Sequence, residues 1–285
     1  MKKLIILLGF LFFAQPVLAY DYAQICAVPP YAVSNKVAQA MSNVTGMNFL
    51  VTQVAESVMQ RELKKKLNSN FKVQIKPYGA KNFINGKFKS LTLSSPRIVY
   101  GGASISDFRA TTLCPYNQVV LQKNDVAFTE NFVLKYSTVV TNEDFQTTVL
   151  SKEYLNTISK FNVNIGTKTL FKVFDPTATL VNDRVKLTFK IMTPLFFTSE
   201  VNTAILDAGL AVQNERIVFT DIKIGDSNDV NLSKLLPIIN RLSPLTYNVK
   251  VSKSSSGVLK VQNVKVANSK IFIDGVFIIP KNYAI

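Results

Sequence analysis

Residues 48–77 read NFLVTQVAESVMQRELKKKLNSNFKVQIKP, and inside this stretch the hydrophobic period changes from 3.6 residues to 2. Leu50, Val51, Val54, Ala55, Val58, Met59, Leu63 and Leu67 recur at spacings of three and four, which predicts an amphipathic helix over 48–67 with a broad apolar face. Lys64-Lys65-Lys66 occupy its last turn, where cations favour the negative end of the helix dipole, and Asn68-Ser69-Asn70 stop it. From Phe71 the pattern alternates without error. Phe71, Val73 and Ile75 fall on one side and Lys72, Gln74 and Lys76 on the other, so the segment predicts an antiparallel strand with one buried face.

Period-2 patterning dominates the chain beyond Pro77. Asn85-Gly86 predicts a hairpin turn, and a phase shift near Ser90 predicts a bulge in the strand 88–93. Short strands are expected at 97–100, 104–108 and 119–122, with Gly101-Gly102 as a turn. Phe132, Leu134, Tyr136, Thr138 and Val140 alternate cleanly. Thr141-Asn142-Glu143-Asp144 is a capping-type start for a helix running to about Thr157. Strands are expected again at 170–174, 178–181, 185–191, 196–206, 208–212 and 216–224, with turns at Asn182-Asp183 and Gln213-Asn214-Glu215. A helix over 231–242 then presents Leu232, Leu235, Leu236, Ile239 and Leu242, and strands at 247–251, 257–266 and 270–279 end the chain. Upstream, Val33, Val37, Ala40, Met41 and Val44 suggest a short helix. Each helix needs a sheet to bury its stripe, so the chain reads as α+β, with curved antiparallel sheets wrapping a long amphipathic helix. The segments 47–140 and 141–280 share a helix-then-meander plan.

The first 19 residues have the form of an export signal. Lys2 and Lys3 precede the uncharged run 4–13, and Val17 and Ala19 place small residues at a cleavage site. A run of that length is too short to cross a hydrocarbon core of about 30 Å. The mature chain is expected to begin near Tyr20, carry an extension over 20–46, and reside in the periplasm or elsewhere in the cell envelope or outside it. In that oxidising setting the two cysteines, Cys26 and Cys114, suggest one disulfide.

Composition narrows the chemistry. The chain is 47% hydrophobic with a mean hydropathy of +0.18, high for a protein with no later run of membrane-spanning length. That surplus belongs to a core or a cavity. A net charge of +15 favours anionic partners; in an exported protein these are lipid head groups rather than nucleic acid. Histidine is absent, which removes the Ser-His-Asp triad, the Cys-His dyad and His-based zinc sites. No nucleophile elbow, phosphate-binding glycine loop or metal-ligand cluster occurs. Asp221, Asp226 and Asp229 lie close together but lack the glutamate of a calcium loop, and they read as a solvated turn. The helix 48–67 remains open to two readings: an ordinary core helix with a solvated basic end, or the wall of an apolar groove with cations at its mouth.

Several segments together resemble the LmeA-like family of exported bacterial proteins. They are Val54-Ala-Glu-Ser57, Leu63-Lys64, Phe71 to Tyr78, Asn85 to Leu93, Lys152 to Asn156, Leu180 to Leu187 and Lys270 to Phe277, spread over most of residues 50–280. The resemblance implies phospholipid binding at the envelope and a fold similar to tubular lipid-binding domains, in which a curved sheet wraps a long helix. On this reading residues 47–280 form a non-enzymatic lipid-binding domain without cofactor, metal or catalytic residues. Leu50, Val51, Val54, Val58, Leu63, Phe71, Val73 and Ile75 would line the acyl chains, and Lys64, Lys65 and Lys66 would meet the head group. The partners would be a phospholipid or other acyl lipid and, transiently, a membrane surface. Two other readings are a non-catalytic structural or protein-interaction module of the envelope, and a hydrolase built on unpaired carboxylates.

Overall fold

The computed structural model describes residues 26, 31–36, 39–40, 46–121, 126–165, 168–195, 198–225, 243–245, 258–279 and 281. The export signal, Asp226 and Asp229, half of the helix expected at 33–44, the helix expected at 231–242 and the strand expected at 247–251 lie outside these residues. The described chain is an α+β structure dominated by two antiparallel sheets.

The first sheet contains β1 (Lys72–Pro77), β2 (Lys87–Tyr100), β3 (Ala103–Thr112), β4 (Asn117–Leu121), β5 (Val126–Phe128) and β6 (Phe132–Thr141). It is completed by the last two strands of the chain, β12 (Val258–Ala267) and β13 (Lys270–Ile279), in the order β12-β13-β6-β3-β2-β4-β5 with β1 on the other edge of β2. The second sheet is β11-β10-β9-β8-β7, made of β7 (Val163–Ile165), β8 (Lys168–Val181), β9 (Arg184–Leu195), β10 (Thr198–Gln213) and β11 (Arg216–Ile224). Tight turns join neighbours at Asn182-Asp183, Asn214-Glu215 and Asn268-Ser269, and all six of these residues have positive φ. Such turns match the right-handed twist of the strands they connect. The Asn85-Gly86 signal acts differently from the expected hairpin: a short helix, α2 (Ala80–Ile84), precedes it, and the pair turns this helix into β2. A Cβ on Gly86 would lie 1.8 Å from the Val119 carbonyl oxygen, so only glycine fits.

Bulges merge strands that the sequence divides. The phase shift near Ser90 is real: Lys76 pairs with Ser90 but Pro77 with Phe88, leaving Lys89 as the extra residue. Asp107 in β3, Asp175 in β8 and Asp221 in β11 all have φ near +50° inside strands, each beside a register shift. Asp221 therefore sits in a strand, where Arg184 pairs with it and with Asp207, and not in a solvated turn. An extra residue of this kind bends a strand and increases its local twist.

Two short helices follow, α3 (Asn142–Val149) and α4 (Lys152–Ser159); α3 bridges the sheets, touching β3 and β6 of the first and β8 of the second, and α4 packs on β8 and α3. The sequence predicts one helix here, but Ser151 breaks it and caps the second piece through its side chain. Phe145 and Val149 are fully buried, and they join inward residues of both sheets in one core. Asn142 and Gln146 of α3 accept hydrogen bonds from Leu180 and Ala178 N–H on the open edge of β8, at 2.6 and 2.9 Å. The edge is thereby satisfied and shielded. A second link between the sheets runs from Val261 N–H to the Glu215 carbonyl at 2.9 Å, beside a Lys260–Glu215 ion pair.

The long helix, α1 (Met47–Leu67), lies at the margin. It packs against β1 and α2, and Glu56 accepts a 2.6 Å hydrogen bond from Ile75 N–H on the edge of β1. Thr52 is its only buried residue. The helix that touches both sheets is α3. Among the described N-terminal residues, Cys26 sits against the first sheet as part of a strap. The Cys26–Cys114 disulfide holds it over Val133 and Val276, and Tyr31 and Ser34 bond to Asn117 and Asn82.

Candidate functional site

A helix turns about 100° per residue, so the apolar residues of α1 separate into two faces. Thr52, Glu56, Met59, Leu63 and Leu67 look inward, and the last three pack on the core. Met47, Leu50, Val54 and Val58 look outward and are exposed, Leu50 by 58% and Val54 by 66%. Phe49 is exposed near the helix start, and Val51 is half-buried. Of the expected lining residues, Leu63 and Ile75 are partly buried against the core, and Phe71 and Val73 are inside it. Leu50, Val54 and Val58 stand in solvent. The expected groups thus do not converge on one groove along α1.

They do meet at its C-terminal end. Asn68 ends the helix in a left-handed conformation, and the next residues swing the chain into β1. A cleft of about 370 Å³ lies there, lined by Ser57, Gln60, Arg61, Lys64, Asn70 and Phe71. A second cleft of about 560 Å³ adjoins it through the shared Asn70 and Phe71 and extends over Lys72, Ser94, Pro96, Asp107 and Arg109. The sheet register explains the second cleft. Lys72 pairs with Ser94, which pairs with Arg109, so two cations flank a hydroxyl in one row across three strands. At about 4.8 Å per strand, the two cationic side chains are rooted roughly 10 Å apart. Pro96, which has no N–H to give, stands opposite the left-handed Asp107, and the ladder between β2 and β3 is interrupted at that pair. Beneath, Phe71 packs edge-on to Phe108 with ring centroids 6.4 Å apart.

Arg61, Lys64, Lys72 and Arg109 therefore rim two joined clefts against one carboxylate, Asp107. Chemically, this set can hold an anion by charge and by donors from Asn70 and Ser94, over an aromatic floor. Lys64 is the one expected head-group residue that lines it; Lys65 and Lys66 are exposed on other sides of the helix end. Sequence reasoning missed Lys72, Arg109 and Arg61. The strict alternation of 71–76 puts Lys72 outward, but pairing it with Arg109 requires the register of three strands.

Two other polar clusters are structural, and the first contains the capping residues expected at 141–144. Asp144 is 1% exposed, and its carboxylate accepts from Ser104 and Ser106 hydroxyls at 2.7 Å each, from the Thr141 hydroxyl at 2.8 Å and from Thr141 N–H at 3.1 Å. Burial by itself would raise this carboxyl, but the bonds from Ser106, Ser104 and Thr141 hold it below its ordinary value. It is an anchored anion with no proton to give. Beside the disulfide, Tyr78 stacks on Tyr116 and gives its hydroxyl to the Pro115 carbonyl, with Lys89 over its ring. Burial and the neighbouring Tyr116 push its phenol up to about 12, so it stays neutral.

The architecture defines a class: a disulfide-clipped α+β protein of two bulged antiparallel sheets, with a basic cleft at the end of a marginal helix. No family model, curated protein or solved structure matches the chain. The disulfide suits an oxidising compartment, and among the described residues no helix is long and apolar enough to cross a membrane.

Proposed function

We propose that this chain is a non-enzymatic phospholipid-binding or lipid-transfer protein of the cell envelope, reached through its export signal. The observation that carries the reading is the meeting of Arg61, Lys64, Lys72 and Arg109 around joined clefts whose floor is Phe71. A phosphodiester head group needs charge and hydrogen-bond donors, and the adjoining apolar surface suits the start of an acyl chain. Each CH₂ removed from water is worth about 0.8 kcal/mol, so shielding even part of a chain outweighs the modest affinity of an exposed ion pair. The resemblance of residues 50–280 to the LmeA-like family supports the same reading, including its expectation of a tube-like lipid site. Such a site would draw on the core-facing Phe71, Val73 and Ile75 more than on the outer residues of α1. Solvent extraction of the purified protein tests the proposal: recovered phospholipid supports it, and Lys72→Glu with Arg109→Glu should reduce the yield. Protein that neither carries nor accepts phospholipid sinks it.

The exposed stripe of α1 favours one other reading, a protein-interaction module of the envelope. That reading requires a partner protein lost on making Val54 polar while lipid is never found.

A further inference from the structure

We infer that the outer face of α1 docks on an anionic bilayer surface, bringing the basic clefts to the head-group layer. The inference rests on the lipid-binding reading and extends it to a second, separate contact. Met47, Leu50, Val54 and Val58 follow one another at spacings of three and four, and the same row continues into Arg61 and Lys65. All four apolar members are exposed, between 44% and 66%. Large aliphatic side chains left in water along one row of a helix call for a partner. Here the row passes from apolar to cationic within a single face, which suits a lipid interface: aliphatic side chains enter the acyl boundary, and Arg61 and Lys65 stay among phosphates.

Charge selects the bilayer over a second copy of the chain. The first turn of α1 holds no acidic residue, and its last turn holds Lys64, Lys65 and Lys66. An antiparallel copy would therefore offer those lysines nothing to pair with. Glu56 is engaged with Ile75 N–H, which leaves Glu62, on the flank of the row, as the other carboxylate of the helix. Arg61 connects the two features. It belongs to the outer row and also lines the smaller cleft with Lys64, so a surface resting on the row reaches the rim of that cleft.

The test is flotation of the purified protein with vesicles of phosphatidylcholine mixed with phosphatidylglycerol, compared with pure phosphatidylcholine. Binding is expected to the mixed vesicles and to weaken with salt, because each basic residue near an anionic surface contributes about fivefold in affinity. Leu50→Asp with Val54→Asp should lower binding at least tenfold while the far-ultraviolet circular dichroism stays unchanged, since both side chains make no core contact. Arg61→Gln with Lys65→Gln should lower it on mixed vesicles only. Equal flotation of the Leu50/Val54 variant, or equal binding to both vesicle types, overturns the inference. So does a wild-type dimer that the Leu50/Val54 variant converts to a monomer. Phospholipid still extractable from a variant that no longer floats separates failure of docking from failure of cargo binding.

Discussion

Replacing Asp144 by alanine should cost about 3 kcal/mol of folding stability, and the loss should depend on pH. The side chain performs two tasks. As the third residue of α3 it completes a reciprocal capping box with Thr141, whose loss costs about 1 kcal/mol. It also accepts the hydroxyls of Ser104 and Ser106 at 2.7 Å. Ser104 is 1% exposed, and a buried donor left without an acceptor costs about 1 to 3 kcal/mol. The nearby Arg97 guanidinium, 3.4 Å away and partly exposed, is left with Glu143 and adds little. The sign of the pH effect follows from the lowered folded-state value. The carboxylate's contribution is complete above the unfolded pKa of about 3.9 and is lost as pH falls through the folded value. Urea denaturation of wild type, Asp144→Ala and Asp144→Asn between pH 7 and pH 3 reads both effects. The gap between wild type and the asparagine variant should narrow below about pH 4. A cost for alanine under about 1 kcal/mol, or a gap that holds constant to pH 3, refutes the reasoning.

Gly275→Ala should be severely destabilising, by about 2 to 4 kcal/mol in urea, because the new methyl would stand 2.2 Å from the Lys260 carbonyl oxygen and 2.7 Å from the Tyr136 hydroxyl. Its cross-strand partner behaves in the opposite way. The Tyr136 hydroxyl is buried with no hydrogen-bond partner among the described residues, so Tyr136→Phe should be neutral or stabilise by up to about 1 kcal/mol in the same assay. Reducing the Cys26–Cys114 bond, which closes a span of 88 residues, should cost up to about 4 to 5 kcal/mol, visible as a lower denaturation midpoint in dithiothreitol. A midpoint unmoved by reductant would mean that the strap contributes nothing to the fold.

Local features of this fold were legible wherever one residue type forces one geometry. The alternation from Phe132 to Val140 places its five members inward, and the pairs Asn182-Asp183 and Asn214-Glu215 make the expected turns. Thr141 and Asp144 form the expected cap. What stayed hidden depends on distant partners. The apolar residues of α1 spread so far around the helix that periodicity could not say which side meets the sheet; β1 decides, through Met59, Leu63 and Leu67. The left-handed turns of Asp107, Asp175 and Asp221 stayed hidden because a left-handed residue inside a strand leaves no mark on hydrophobic patterning. The pairing of β13 with β6 joins residues more than a hundred positions apart, so the mixing of early and late strands in one sheet was also beyond local reading. The basic cleft shares that cause. Lys72 and Arg109 meet only through Ser94.

Native mass spectrometry of the purified protein, before and after mixing with phosphatidylglycerol, tests the central claim most directly. The account predicts a bound mass equal to one phospholipid, diminished when Lys64, Lys72 and Arg109 are changed to glutamate. A protein that remains bare at every lipid concentration contradicts it.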